Sequence, residues 1–400
     1  MAEQSPGSQA RRHILGLGAA AVFAMALGGC QLVPKPRPDI PPEEPQPEIE
    51  QPREEAPGPQ LPPEETRNRV AVLVPTSGAN AGVGQSIANA ANLALLDAGG
   101  ERIRIAVYDT ARGGAAAAAN QALADGNGLF LGPLLADDVR AVAPIARRAG
   151  VPVISFSNDA SVAGNGVYLM GFTPGQSIAR VVGYARSREL DRFGALGPEG
   201  VYGRRAAQAM IDAVKEADGR LVGMQTYDSG PASVRTAAAR LNALGEFDAI
   251  LIADGGRGAA VAAPLLRSGV SAGARLLGTE LWATETGLGR TAALRGAWYA
   301  SVGDSMFNQL RTRYRARYGA NPYRLASLGY DAVLLTVRIA KTWRLGRAFP
   351  ERELRDPGGF AGVDGPFRFT SSGVAERSLE VREVTAAGTI TVSPAPRTFD

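Results

Sequence analysis

The chain has 400 residues, and its 43 basic and 39 acidic side chains leave a formal charge of only +4. It carries one histidine, His13, and one cysteine, Cys30, both close to the N-terminus. If that stretch is a removable leader, the remainder has no imidazole and no free thiol, which excludes Ser-His-Asp and Cys-His nucleophilic sites, His or Cys zinc sites and disulfides.

In chain order, Arg11 and Arg12 form a charged start, Ile14 to Leu27 an apolar stretch too short to span a bilayer comfortably, and Leu27-Gly28-Gly29-Cys30 a small-residue ending. This order reads as a lipoprotein signal peptide over 1–29, cleaved before Cys30, whose sulfur would take a diacylglycerol. A second acyl chain on the new N-terminus would complete the anchor, because one chain alone binds a membrane only marginally. Arg11-Arg12-His13 also resembles a twin-arginine export signal, so the export route stays open. Residues 30–69 then read as the lipidated cysteine and a disordered linker. Between Pro34 and Glu65 lie 12 of the 27 prolines, alternating with Glu and Gln, and so few apolar side chains cannot offset the entropy of ordering. At about 3.1 Å per residue the 37 residues from Gln31 to Arg67 reach roughly 110 Å when extended. Charge is unevenly divided: Gln31 to Arg69 holds five basic and nine acidic residues, and the rest, from Val70, holds 36 and 29. A moderately basic head on an acidic tether favours anionic partners such as lipid headgroups or wall polymers; an exported protein is not expected to meet nucleic acid.

From Val70 the pattern is strand and helix in alternation. Val70 to Pro75 is a short apolar run closed by proline, followed by a glycine-containing loop to Gly84 and an amphipathic helix over 85–97. Strands follow at 103–108, 128–131 and 151–155, with helices around 115–123 and 137–149. Four such units in succession imply a parallel sheet with right-handed helical crossovers. A second cycle has strands at 193–196, 221–227, 249–253 and 275–278, with a helix after Gly203 and another over 234–244. A long helix over 325–343 and closing strands at 367–369, 379–384 and 389–392 complete the chain. The expected fold is α/β, two doubly wound parallel-sheet lobes joined by a hinge: 70–172 plus 303–345 as the first lobe, 173–302 plus 346–400 as the second. In such sheets ligands sit beyond the carboxyl ends of the strands, so loops there would line a cleft between lobes.

Pro75-Thr76-Ser77-Gly78, Gly132-Pro133-Leu134, Val151 to Ser155, Tyr202-Gly203 opening a helix, and Gly329-Tyr330-Asp331-Ala332 occur in an order and spacing that resembles the type I periplasmic binding proteins, the branched-chain amino-acid receptor group. Within that group, Gly132 to Val139 and Asp364-Gly365-Pro366-Phe367-Arg368-Phe369 look most like the LppC, YraM or LpoA lipoproteins. The resemblance implies a non-catalytic activator of peptidoglycan synthesis, held at the inner leaflet of the outer membrane, with a penicillin-binding protein as partner. The alternative is the substrate-binding lipoprotein of an ABC transporter with an amino-acid-like or other small solute in its cleft. No cofactor or metal is expected. The chain lacks the long helical-repeat domain of the enterobacterial activators.

The cleft candidates are Ser77, Asp137, Asp138, Ser157, Asn158, Tyr202, Asp254 and Glu280. The resemblance places Glu280 where an acid receives a ligand ammonium and Tyr202 where an aromatic faces the cleft. Asp137 and Asp138 stand where hydroxyls would hold a ligand carboxylate, and two acids there would repel an anion. Each has a plainer role open to it: Asp137 at the positive end of a helix dipole, Ser157, Asn158 and Asp159 shaping a turn, Trp282 packing between lobes. A third reading makes Asp254 and Glu280 the paired acids of a wall hydrolase.

Overall fold

The computed structural model describes residues 66–228, 230–396 and 399, so the leader, Cys30 and the tether to residue 65 lie outside the described residues. The first sheet holds β1 (Asn68–Val74), β2 (Ile103–Asp109), β3 (Leu129–Leu131), β4 (Val153–Ser155) and β5 (Val167–Leu169), in the order β2-β1-β3-β4-β5 and all parallel. β1 is apolar on both sides because both faces are covered. Val70, Val72 and Val74 pack with α1 (Ala81–Asp97) and α9 (Ala326–Ile339), whereas Ala71 and Leu73 pack with α2 (Ala115–Ala124) and α3 (Ala136–Arg148). Helix α8 (Ser305–Tyr318) adds Phe307, Leu310 and Tyr314 to the same core as α1 and α9.

The second sheet runs β15-β14-β10-β9-β8-β6-β7. Its parallel strands are β6 (Arg192–Pro198), β7 (Arg220–Tyr227), β8 (Ala249–Ile252), β9 (Arg275–Gly278) and β10 (Trp298–Ser301); β14 (Glu380–Thr385) is antiparallel to β10 and β15 (Gly388–Ser393) antiparallel to β14. The period of two is again visible in β8. Ala249 and Leu251 face α4 (Pro174–Arg186) and α5 (Val201–Glu216), while Ile250 and Ile252 face α6 (Pro231–Asn242) and α7 (Gly256–Arg267).

The two lobes open with the same turn. β1 is followed by Pro75 and β6 ends on Pro198, and the helix after each brings a glycine, Gly84 or Gly203, so close to the proline carbonyl that an added Cβ would lie 1.9 Å and 1.6 Å from its oxygen. Only glycine permits that approach.

Residues 346–400 do not belong wholly to the second lobe, as the sequence suggested. Phe349, Leu354, Phe360, Val363, Phe367, Phe369 and Ala375 join the core of the first sheet. They include a small antiparallel sheet of β11 (Phe360–Gly362), β12 (Gly365–Phe369) and β13 (Ala375–Arg377). The strand read at 367–369 therefore closes the first lobe, since three phenylalanines there are better buried against α9 than left at a sheet edge. The chain thus passes between lobes three times: after β5, after β10, and between β13 and β14. Among the described residues no helix is long and apolar enough to cross a membrane.

Candidate functional site

Loops from both lobes meet around a cavity of about 410 Å³. Leu134 and Leu135 follow β3, Phe156 and Asn158 follow β4, Glu280 to Thr284 follow β9, and Val302 follows β10; these are the carboxyl ends of parallel strands, where such folds place ligands. Asn80 and Val83 of the first lobe, Gln176 and Ser177 of α4, and Phe172, Arg324, Leu325, Arg377 and Leu379 complete most of the lining. The walls are largely aliphatic and aromatic, with a few polar groups converging.

On the second-lobe side the polar centre is Glu280. Ser177 Oγ donates to its Oε2 at 2.6 Å and the Tyr202 hydroxyl to its Oε1 at 3.0 Å, and Thr279 Oγ1 lies 2.9 Å from that hydroxyl. Burial pushes the Glu280 carboxyl above the ordinary range, against the pull of those donors. Burial and the Glu280 charge together push Tyr202 up as well, so its proton stays available for the bond.

On the first-lobe side lie Arg324 and Arg377, which reading the sequence did not single out. Arg324 Nη1 is 2.6 Å from Asp364 Oδ1 and 3.0 Å from Ser327 Oγ, and its guanidinium lies 4.1 Å from the Phe307 ring centre. Arg377 donates through Nη2 to the Met170 carbonyl at 3.0 Å and lies 5.1 Å from the centre of Phe172 and 5.0 Å from that of Phe367. Phe172 has Arg324 at 5.9 Å too, so one ring gathers both cations. Nε and Nη2 of Arg324 and Nε and Nη1 of Arg377 are buried without a hydrogen-bond partner. Asp364 is fully buried; neither oxygen makes an aligned hydrogen bond, and its contact with Arg324 is a close ion pair only. Asp331 Oδ1 accepts from Val363 N at 2.7 Å, and burial together with the Asp364 charge pushes its carboxyl up to about 7 although Arg377 opposes the shift.

The sequence candidates are dispersed. Asn158 and Glu280 line the cavity, and Tyr202 stands behind Glu280. Asp254 lines a different and more open cavity of about 710 Å³ with Glu199, Asp228 and Arg257, where Tyr227 donates to its Oδ2 at 2.6 Å. Glu280 is not among the lining residues of that cavity, so the proposed acid pair has no shared site. Ser77 bonds Asp109, which hydrogen bonds from Ser77, Ala111 and Thr76 hold down to about 2 despite the opposing effect of burial. Asp137 points to solvent, its side chain 95% exposed and paired with Arg140 at 2.7 Å. Asp138 is half-buried beside Thr110, and burial raises its carboxyl. Neither acid lines the cavity, so the repulsion of an anion expected from them does not arise there. Ser157 is buried and accepts from Asp159 N at 3.1 Å, the turn-shaping role. Trp282 is fully buried in the second-lobe core with its Nε1 on the Asp254 carbonyl at 2.8 Å, and it packs within that lobe, not between lobes. Asp159 joins the lobes: it pairs with Arg140 at 2.7 Å and, more closely, with Arg205 of α5. Among the described residues no group of His, Cys, Asp and Glu is arranged to hold a metal ion.

An uncharacterised protein of Rickettsia prowazekii is 24% identical over 180 residues, 45% of this chain, and the match spans about half, 48%, of that relative's length. Among solved structures, a putative branched-chain amino acid ABC transporter protein from Rhodospirillum rubrum shares 20% identity with a TM-score of 0.71, covering 82% of this chain and 100% of that one. The solute binding protein of an ABC transporter from Rhodopseudomonas palustris, in complex with 3,4-dihydroxybenzoic acid, shares 19% with a TM-score of 0.62, covering 84% and 98%. At these identities the likeness to both is one of fold. The family model described as periplasmic binding protein matches residues 68–389, and the chain belongs to that family.

Proposed function

We propose that this chain is a solute receptor: a two-lobed head that binds a small organic solute in the cleft between lobes, held at a membrane by acylated Cys30 and handing the solute to a transporter. The observation that carries the reading is the cavity of about 410 Å³ at the carboxyl ends of both parallel sheets, with apolar walls and few polar groups. That size and lining match small-molecule sites in general. Three chain crossings between the lobes supply the joints about which they can close. The structural relatives named above include a putative branched-chain amino acid transporter protein and one holding a dihydroxybenzoic acid, which supports the same reading. A thermal-shift screen of the full chain in detergent, against amino acids, organic acids, sugars and short peptides, tests it. One solute raising the melting temperature in proportion to ln(1 + [L]/Kd) is the expected result, and a flat response to the whole panel overturns it. Loss of fatty acid from Cys30→Ser, with release of the head from membranes, is the outcome expected for the anchor.

A second reading, activation of a penicillin-binding protein at the outer membrane, is supported by the resemblance of Gly132 to Val139 and Asp364 to Phe369. Those residues have structural duties as well: Asp364 meets Arg324 and Phe367 is fully buried in the first-lobe core. Retention of a synthase on the immobilised protein and faster glycan polymerisation would favour this reading over the receptor.

A further inference from the structure

The cleft carries one unbalanced feature. Glu280, the acid that would greet an ammonium, already has both oxygens engaged by Ser177 and Tyr202. Arg324 and Arg377 also line the cavity, yet two nitrogens on each are buried and unmatched by any acceptor. Buried polar groups are matched in nearly all cases, and an unmatched charged donor is among the most expensive to leave so. Four such N–H-bearing atoms on two neighbouring guanidiniums at one wall call for an acceptor from outside the chain. The local charge points the same way. Asp364 offsets one guanidinium through its ion pair, while Asp331 is held by the backbone N–H groups of Val363 and Asp364 and favours its protonated form near neutral pH. About one positive charge remains uncompensated.

A carboxylate fits this need better than a point anion. Its two oxygens match the planar fork of a guanidinium, and charge-assisted bonds of this kind are the strongest an acceptor can make. Leu134, Leu135, Phe156, Phe172, Val302 and Leu379 surround the remaining space, which suits a compact hydrocarbon or aromatic body and offers little to a sugar. We infer that Arg324 and Arg377 form the carboxylate clamp of this cleft, and that its solute is a small monocarboxylate with an apolar body and no required amine. The inference rests on the solute-receptor reading and narrows it.

The test measures affinities of the full chain in detergent by calorimetry for benzoate, phenylacetate and isocaproate, each beside its uncharged amide, and for leucine beside isocaproate, its analogue without the amine. The expected result is binding of at least one acid, an amide at least tenfold weaker, and isocaproate at least as tight as leucine. Arg324→Lys keeps the charge but not the fork and is expected to lose about tenfold for the acids, and Arg377→Gln is expected to remove the preference for acid over amide. The comparison of acid with amide in the unaltered protein stands even if a variant fails to fold. Amides binding as well as acids, or leucine binding tenfold more tightly than isocaproate, overturns the clamp while leaving the receptor reading in place. So does exclusive binding of a sugar or peptide in the wider screen. No binding by any solute overturns both.

Discussion

On the second-lobe side of the cleft, Glu280 has a hydroxyl on each carboxylate oxygen, whereas on the first-lobe side Arg324 and Arg377 keep buried N–H groups that no acceptor of the chain meets. The acid is finished by its own lobe; the bases are not. The difference teaches that proximity to a cleft does not make a charged residue a ligand contact. What matters is whether its hydrogen-bonding capacity is spent within the protein. The aromatic neighbours follow the same division: Tyr202 uses its hydroxyl to satisfy Glu280, while Phe172 offers only a ring face to both guanidiniums.

Several substitutions can break or sharpen this contrast. The largest effect is expected on the basic side. Arg324→Ala strands Asp364, which is fully buried, and should lower unfolding free energy by about 3–5 kcal/mol in chemical denaturation. Adding Asp364→Asn to that variant should recover part of the loss, and no recovery would mean that the pair is not coupled. On the acid side, Tyr202→Phe removes one donor from a carboxylate that keeps its Ser177 bond, with an expected loss of about 1–2 kcal/mol by the same measurement. A greater loss here than at Arg324 would reverse the contrast.

Asp331 sharpens the comparison through pH. Its carboxyl is pushed up to about 7 by burial and by Asp364, against Arg377, so between the unfolded value near 4 and about 7 the folded state holds a proton that the unfolded state has released. Stability is therefore lost as pH rises through that window and is fullest below it. Thermal melts of Asp331→Asn and the unaltered protein should show the difference between them moving in favour of the variant from pH 5 to pH 8; a constant difference would remove Asp331 from the titration. A smaller effect, about 1 kcal/mol after allowance for the exposure of Arg140 and Arg205, is expected for Asp159→Asn. Because that pair joins the lobes, small-angle scattering should show a wider particle, and an unchanged profile would deny it a part in closure. Smallest of all, Asp137→Ala should change stability by under about 0.5 kcal/mol and leave solute affinity unaltered, since the side chain faces solvent.

Much of the scaffold was legible because its strands are buried on both faces and therefore read as unbroken apolar runs: Val70 to Val74, Leu129 to Leu131 and Ala249 to Ile252 all announce themselves. Five elements did not stand out. Helix α7 carries Gly256, Gly258 and Pro264, residues that usually mark its absence, and packing of its alanines against β8 outweighs them. β5 and β10 are three and four residues long, too short to show alternation. α4 begins on Pro174, which reads as a loop. α8 is mostly polar, with only Phe307, Leu310 and Tyr314 buried. The candidate site was less legible still. Glu280 and Asn158 were found from their positions after strands, but Arg324 and Arg377 were hidden among 43 basic residues. Two signals pointed toward them. Arg377 takes the same inward position in β13 as Ala375, and Asp331 interrupts the otherwise apolar face of α9.

By itself the sequence determined the kind of layer each segment could enter, since period and apolar content act over a few residues and need no distant partner. Hence two parallel-sheet lobes with a cleft at their carboxyl ends could be read from the chain alone. Which charged groups are buried, which are satisfied and which remain open was decided only by the tertiary structure. Desolvation and hydrogen bonding depend on what other segments bring into contact: Ser177 to Glu280, Asp364 to Arg324, and Met170 to Arg377. None of these pairs lies in one local element, and no local pattern encodes them.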